Sequence, residues 1–112
     1  MKIYHNPRCS KSREGLLYLE EKGYDFDVIN YMKDGITAKE IKDFLNKSGL
    51  KVDQIIRTNE ELYKLQYKDK ELTEEEWIKV IAENPKLLQR PLVIKGTRAV
   101  LARPADEIEK LF

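Results

Sequence analysis

A chain of 112 residues with 21 basic and 20 acidic side chains carries a formal net charge of +1. Its length suits one domain, 1–112, with a real core, and its balance gives no electrostatic case for nucleic acid or an acidic membrane as main partner. No apolar run approaches the roughly 20 residues that span a bilayer, and the start, MKIYHNPRC, has no apolar signal region, so a reducing, cytoplasmic location is expected.

The elements follow in chain order. Lys2–Tyr4 reads as a short strand. Residues from about Ser10 to Lys22 read as a helix, with Leu16, Leu17 and Leu19 as its apolar face and Gly23 as its stop. In DFDVINY, Phe26 and Val28 alternate with Asp25 and Asp27, the pattern of a half-buried strand. Thr37 and Glu40 form a capping box before a helix whose buried stripe is Ile41, Phe44 and Leu45, closed by Gly49. Asp53 is expected to cap a short helix through Ile56, and NEELYKLQY reads as another helical piece. A second capping box, Thr73 with Glu76, opens a helix with Trp77, Val80 and Ile81 on one face and Asn84-Pro85 as its end. LVIK and RAVLA flank Gly96-Thr97, the strongest hairpin signal in the chain. PADEIEKLF, opened by proline and acids, reads as a last helix.

The order is therefore β-α-β, several helices over roughly residues 35–85, then β-β-α. Joined, the outer parts make an α/β thioredoxin-like fold with a mixed sheet, and the middle is a helical insertion without strands of its own.

The only cysteine, Cys9, lies in HNPRCSKSR at the turn from first strand to first helix. A lone cysteine is more often filler than nucleophile. This position is not an apolar stripe, however. Free backbone N–H groups and the positive end of the helix dipole lie there, and Arg8, Lys11 and Arg13 are close in sequence; all favour a thiolate. Pro7 restricts Asn6 to extended geometry. A phosphatase loop needs arginine six positions after the cysteine, and Gly15 stands there. An internal dithiol needs C-x-x-C, and Ser12 replaces the second thiol. A one-cysteine mechanism with an outside thiol remains. Ser12 reads equally as a donor to the thiolate and as an ordinary helix-start serine.

Arg57, Arg90 and Arg103 each end an apolar segment, where a long cation can reach a cleft. Arg90-Pro91 falls just before the third strand, where this fold holds a cis-proline beside its active cysteine, so Pro91 is a cis-proline candidate. Guanidinium groups match paired oxygens and would suit an oxyanion. Singly, each arginine reads as surface charge. Trp77 and Phe44 read as core, and Tyr63 with Tyr67 as packing. His5 reads as a tuner of Cys9 or a general base. No cluster has ligand spacing, so no metal is expected.

HNPRCSKSR, IIRTNEE and NPKLLQRPLVIKGTRAVLARP together resemble the glutaredoxin-dependent arsenate reductase family, in order from residue 3 to about 104. The resemblance implies a thioredoxin fold with a helical insertion. It implies Cys9 as nucleophile, Arg57, Arg90 and Arg103 as oxyanion-binding arginines, and His5, Asn6 and Ser12 as lining of the thiolate pocket. Arg98 matches too, although a hairpin surface role suits it better. Arsenate is the implied substrate, glutathione the co-substrate and glutaredoxin the partner, with no tightly bound cofactor. Two alternatives stand beside it: a thiol-dependent reductase of another small substrate, and a transcription regulator of the Spx type that binds RNA polymerase.

Overall fold

The computed structural model describes residues 1–112. A four-stranded mixed sheet runs in the order β2-β1-β3-β4. Its strands are β1 (Lys2–His5), β2 (Asp27–Asn30), β3 (Leu92–Lys95) and β4 (Arg98–Leu101). β1 is parallel to β2, with His5 opposite Asn30, and antiparallel to β3. β3 and β4 form the hairpin around Gly96-Thr97, with Lys95 opposite Arg98. Gly96 has φ 60°, a left-handed conformation that costs glycine nothing in Cβ contacts.

Both faces of the sheet are covered. On one, Ile3 and Val93 pack with Leu19 of α1 (Ser10–Glu21) and with Ile108 and Leu111 of the C-terminal segment. On the other, Tyr4, Leu92 and Ile94 pack with Ile41, Phe44 and Leu45 of α3 (Ala38–Ser48) and Ile78 and Ile81 of α4 (Glu74–Glu83). Each such side chain, fully buried, stabilises the fold by about 1.5–3 kcal/mol. The inserted helices are therefore the second wall of the core rather than an appendage. This is an α/β thioredoxin-like arrangement, β-α-β then β-β, with helices inserted between.

Both capping boxes close. Thr37 Oγ1 accepts from the Glu40 amide at 3.1 Å while Glu40 Oε1 accepts from the Thr37 amide at 3.1 Å. The Thr73 and Glu76 pair does the same at 3.2 and 3.0 Å. Each pairing satisfies donors that a helix start leaves free.

Several expectations shift. α1 buries Ser12, Gly15 and Leu19, spaced i, i+3, i+7, so Leu17 faces solvent at 52% exposure. Val28, on the edge strand β2, is also exposed. Asp53 caps nothing. It lies inside a 3-10 turn, Val52–Ile55, and the Lys51 amide donates to Gln54 Oε1 at 2.9 Å instead. α4 buries Ile78 and Ile81, while Trp77 and Val80 are half-buried. Trp77 takes Tyr63 and Tyr67 on its ring, at centroid separations of 6.1 and 5.7 Å. Those tyrosines belong to a π-helical turn, Tyr63–Tyr67, and the last helix, Ala105–Leu111, is 3-10. Tyr31 does not extend β2. It opens a four-residue helix, α2 (Tyr31–Asp34), because Asn30 Oδ1 caps the Lys33 amide at 3.2 Å.

Candidate active site

The site is built at the C-terminal ends of the parallel strands β1 and β2, where open α/β sheets bind ligands. The chain leaves β1 at His5 and turns through Asn6-Pro7-Arg8. Asn6 Oδ1 accepts from the Arg8 amide at 3.0 Å, and Asn6 O from the Cys9 amide at 3.0 Å. Arg13 Nη1 donates to Pro7 O at 2.9 Å, tying the turn to α1. Cys9 is thereby fixed as the N-cap of α1, with φ −99° and ψ 124°.

The Cys9 side chain closes no cap hydrogen bond of its own, yet first-turn amides and a cation lie close to its sulfur. Burial works against the thiolate. The Ser12 amide, the Arg90 guanidinium (through hydrogen bond and charge) and the Lys11 amide outweigh it, and the thiol is held below its ordinary value. The bases adjacent in sequence are not the ones that act. Arg8 is exposed, Lys11 pairs with Glu14 at 3.5 Å, and Arg13 is engaged with Pro7.

Ser12 sits fully buried on the inner face of α1. Its hydroxyl lies 2.7 Å from His5 Nδ1 and accepts from the Asn6 amide at 2.9 Å. That hydroxyl is committed to the floor of the turn, so what Ser12 offers the sulfur is its backbone N–H. Burial lowers the His5 pKa; a hydrogen bond to Ser12 raises it less, and the Arg13 charge lowers it. A neutral ring accepting at Nδ1 from the Ser12 hydroxyl fits this pattern, a tautomer assigned from the hydrogen bonds. His5 thus holds the turn beneath Cys9.

Arg90 arrives from the short connection that leads into β3. It is 9% exposed, and the Arg90–Pro91 bond is cis, as is Arg103–Pro104. Pro91 packs directly on Gly15 of α1, where an added Cβ would stand 2.7 Å from Pro91 Cγ. Arg57 and Arg103 are engaged with other partners. Arg57 pairs with Glu60 at 3.3 Å. Arg103 is exposed and donates to Gln89 Oε1 at 3.3 Å. Both are nonetheless tethered beside Arg90. The Arg57 amide donates to Leu87 O at 2.7 Å, the Gln89 amide to Ile55 O at 2.8 Å, and Ile56 bridges Leu88. Arg98 is exposed at the hairpin.

A residue that sequence reading passed over completes the cluster. Tyr31, wholly buried, lies where the charges of both Arg90 and Cys9 act on its phenol. The Asn6 side chain is near enough to interact with it, but no bond of ordinary geometry closes. Tyr31 Oη and Arg90 Nε are the two buried side-chain polar atoms without a partner. The signal was a polar-tipped aromatic just past a strand's C-terminal end, hidden by reading Tyr31 as strand.

Residues 4–111 match the ArsC family. The chain belongs to the ArsC family. An arsenate reductase of Neisseria meningitidis is 40% identical over 100% of this chain and 97% of that protein. The Escherichia coli protein YfgD, described as uncharacterized, is 40% identical over 96% of this chain and 92% of its own length. Among solved structures, an arsenate reductase from Vibrio cholerae superposes with a TM-score of 0.92 at 38% identity, covering 100% of this chain and 98% of that one. In this ArsC-family chain a thiol held below its ordinary pKa faces a buried guanidinium. No three His, Cys, Asp or Glu side chains are grouped as metal ligands.

Proposed function

We propose that this chain is an oxidoreductase that reduces arsenate with thiols supplied from outside. The observation that carries the reading is the buried Arg90 guanidinium against the sulfur of Cys9, whose thiol is held below its ordinary pKa at the start of α1. Relatives named arsenate reductase, 40% identical along the whole chain, support the choice of substrate.

Arsenate binds with its oxygens toward Arg90 and the α1 amides, which are pre-oriented for negative charge. Arg57 and Arg103 leave Glu60 and Gln89 to close on it, exchanging a half-buried ion pair and an exposed hydrogen bond for a charged anion. The Cys9 thiolate attacks arsenic, and one oxygen leaves as water after protonation. Glutathione then attacks. Its sulfur and that of Cys9 are joined as a disulfide, arsenic takes up two electrons and arsenite departs. Glutaredoxin removes the glutathione from Cys9 and restores the thiol. The lone cysteine requires that outside help, since no second thiol exists to resolve the disulfide. A cleft of about 330 Å3 beside the turn, bordered by Arg8 and Lys33, offers cations for glutathione's carboxylates.

The test is arsenate reduction coupled to glutathione and glutaredoxin. Turnover in the parent, lost in Cys9→Ser and on omitting glutathione, is expected. Turnover that persists in Cys9→Ser would remove Cys9 as nucleophile, and an inactive parent would remove arsenate as substrate.

A further inference from the structure

We propose that Tyr31 is a hydrogen-bond donor to the oxyanion bound at Cys9, working beside Nε of Arg90; this rests on the oxyanion-binding reading of the site. Buried polar groups are nearly always partnered, and an unpartnered one costs more than an average hydrogen bond contributes. This chain leaves two, Tyr31 Oη and Arg90 Nε. Both border the Cys9 turn: Tyr31 follows Asn30, the partner of His5 across the sheet, and the charges of Arg90 and Cys9 reach its phenol. Both atoms are donors, and no protein acceptor takes them.

Backbone register explains the convergence. His5 pairs with Asn30 across β1 and β2, so the next residues, Asn6 and Tyr31, leave the sheet side by side. Asn6 begins the turn that carries Cys9, and Tyr31 begins α2. The Tyr31 ring packs in the main core cluster. A packing role alone would be filled by phenylalanine, without an orphaned hydroxyl. Burial pushes the phenol up to about 12, so it keeps its proton at neutral pH and can only help an anion by donating.

The test is Tyr31→Phe, which removes one oxygen. Three readouts are needed: unfolding by urea, the pH profile of Cys9 alkylation by iodoacetamide, and protection of Cys9 from alkylation by arsenate, phosphate or sulfate. Because the nearby Asn6 side chain closes no bond of ordinary geometry with the hydroxyl, stability is expected to hold or rise. The half-protecting anion concentration is expected to rise about tenfold, as for a lost hydrogen bond to a charged group. Tyr4→Phe is the control. The Tyr4 hydroxyl is already taken, donating to Glu40 at 2.6 Å, so this variant should lose stability and keep protection. Equal protection in Tyr31→Phe and parent overturns the proposal and leaves the oxyanion site standing. A loss of stability with unchanged protection also overturns it, by assigning the hydroxyl to the protein. A parent that no oxyanion protects overturns both readings.

Discussion

Gly15→Ala tests how the site is held together. A Cβ at Gly15 would stand 2.7 Å from Pro91 Cγ and 3.8 Å from Ala102 Cβ and Ile3 Cδ1. Carbon atoms prefer about 3.5–4.0 Å, so the two longer contacts are ordinary and the first is an overlap. In an exposed helix the change would stabilise by about 1 kcal/mol. Extra carbon in a packed site costs about 1–3 kcal/mol. Pro91 is a ring tied to the backbone and buried, and it cannot rotate aside as a flexible chain would, so the upper part of that range applies. The net expectation is a loss of about 1–2 kcal/mol, read as a fall of roughly 5 °C in Tm for a domain of this size. A second effect follows. Displacing Pro91 displaces Arg90, so the Cys9 thiol should titrate higher and alkylate more slowly at neutral pH. Thermal unfolding and an iodoacetamide rate profile measure the two. A Gly15→Ala variant more stable than the parent, with unchanged thiol reactivity, would refute the close packing of α1 on the Arg90-Pro91 segment.

Two further outcomes are expected. Arg90→Met removes the cation and hydrogen bond that favour the Cys9 thiolate. The thiol pKa should rise, and an alkylation profile that does not move would exclude Arg90 as its partner. His5 is the one histidine, and its pKa is lowered mainly by burial. The unfolded chain then takes up a proton before the folded one does. Its contribution to stability is complete above the unfolded value of about 6.5 and is lost as pH falls below it. Urea unfolding at stepped pH should show a decline as pH falls below neutrality that is smaller in His5→Gln; identical slopes would contradict the buried neutral ring.

The outer frame was legible because its signals are local. Capping boxes at Thr37 and Thr73 and the Gly96-Thr97 turn are short patterns with one physical meaning, and each forms as read. Faces were harder. Leu17 and Val28 look buried by periodicity, but exposure depends on which element covers them, and nothing covers these. The site divides in the same way. The N-cap position of Cys9 follows from strand-turn-helix order. The cation that acts on it is distant Arg90 rather than nearby Arg8, Lys11 or Arg13, because tertiary packing decides where a guanidinium points. Arg57 and Arg103, grouped with Arg90 by resemblance, are held next to it on other partners. Tyr31 was missed because the strand pattern was carried one residue too far, and because its unpartnered hydroxyl shows only once the chain is folded.

The most direct test of the account is the rate of Cys9 alkylation across the pH range, with and without arsenate. The thiol should titrate below its ordinary value of about 8.5, and alkylation should slow when arsenate is present. A thiol titrating at or above that value, alkylated equally fast in arsenate, would contradict it.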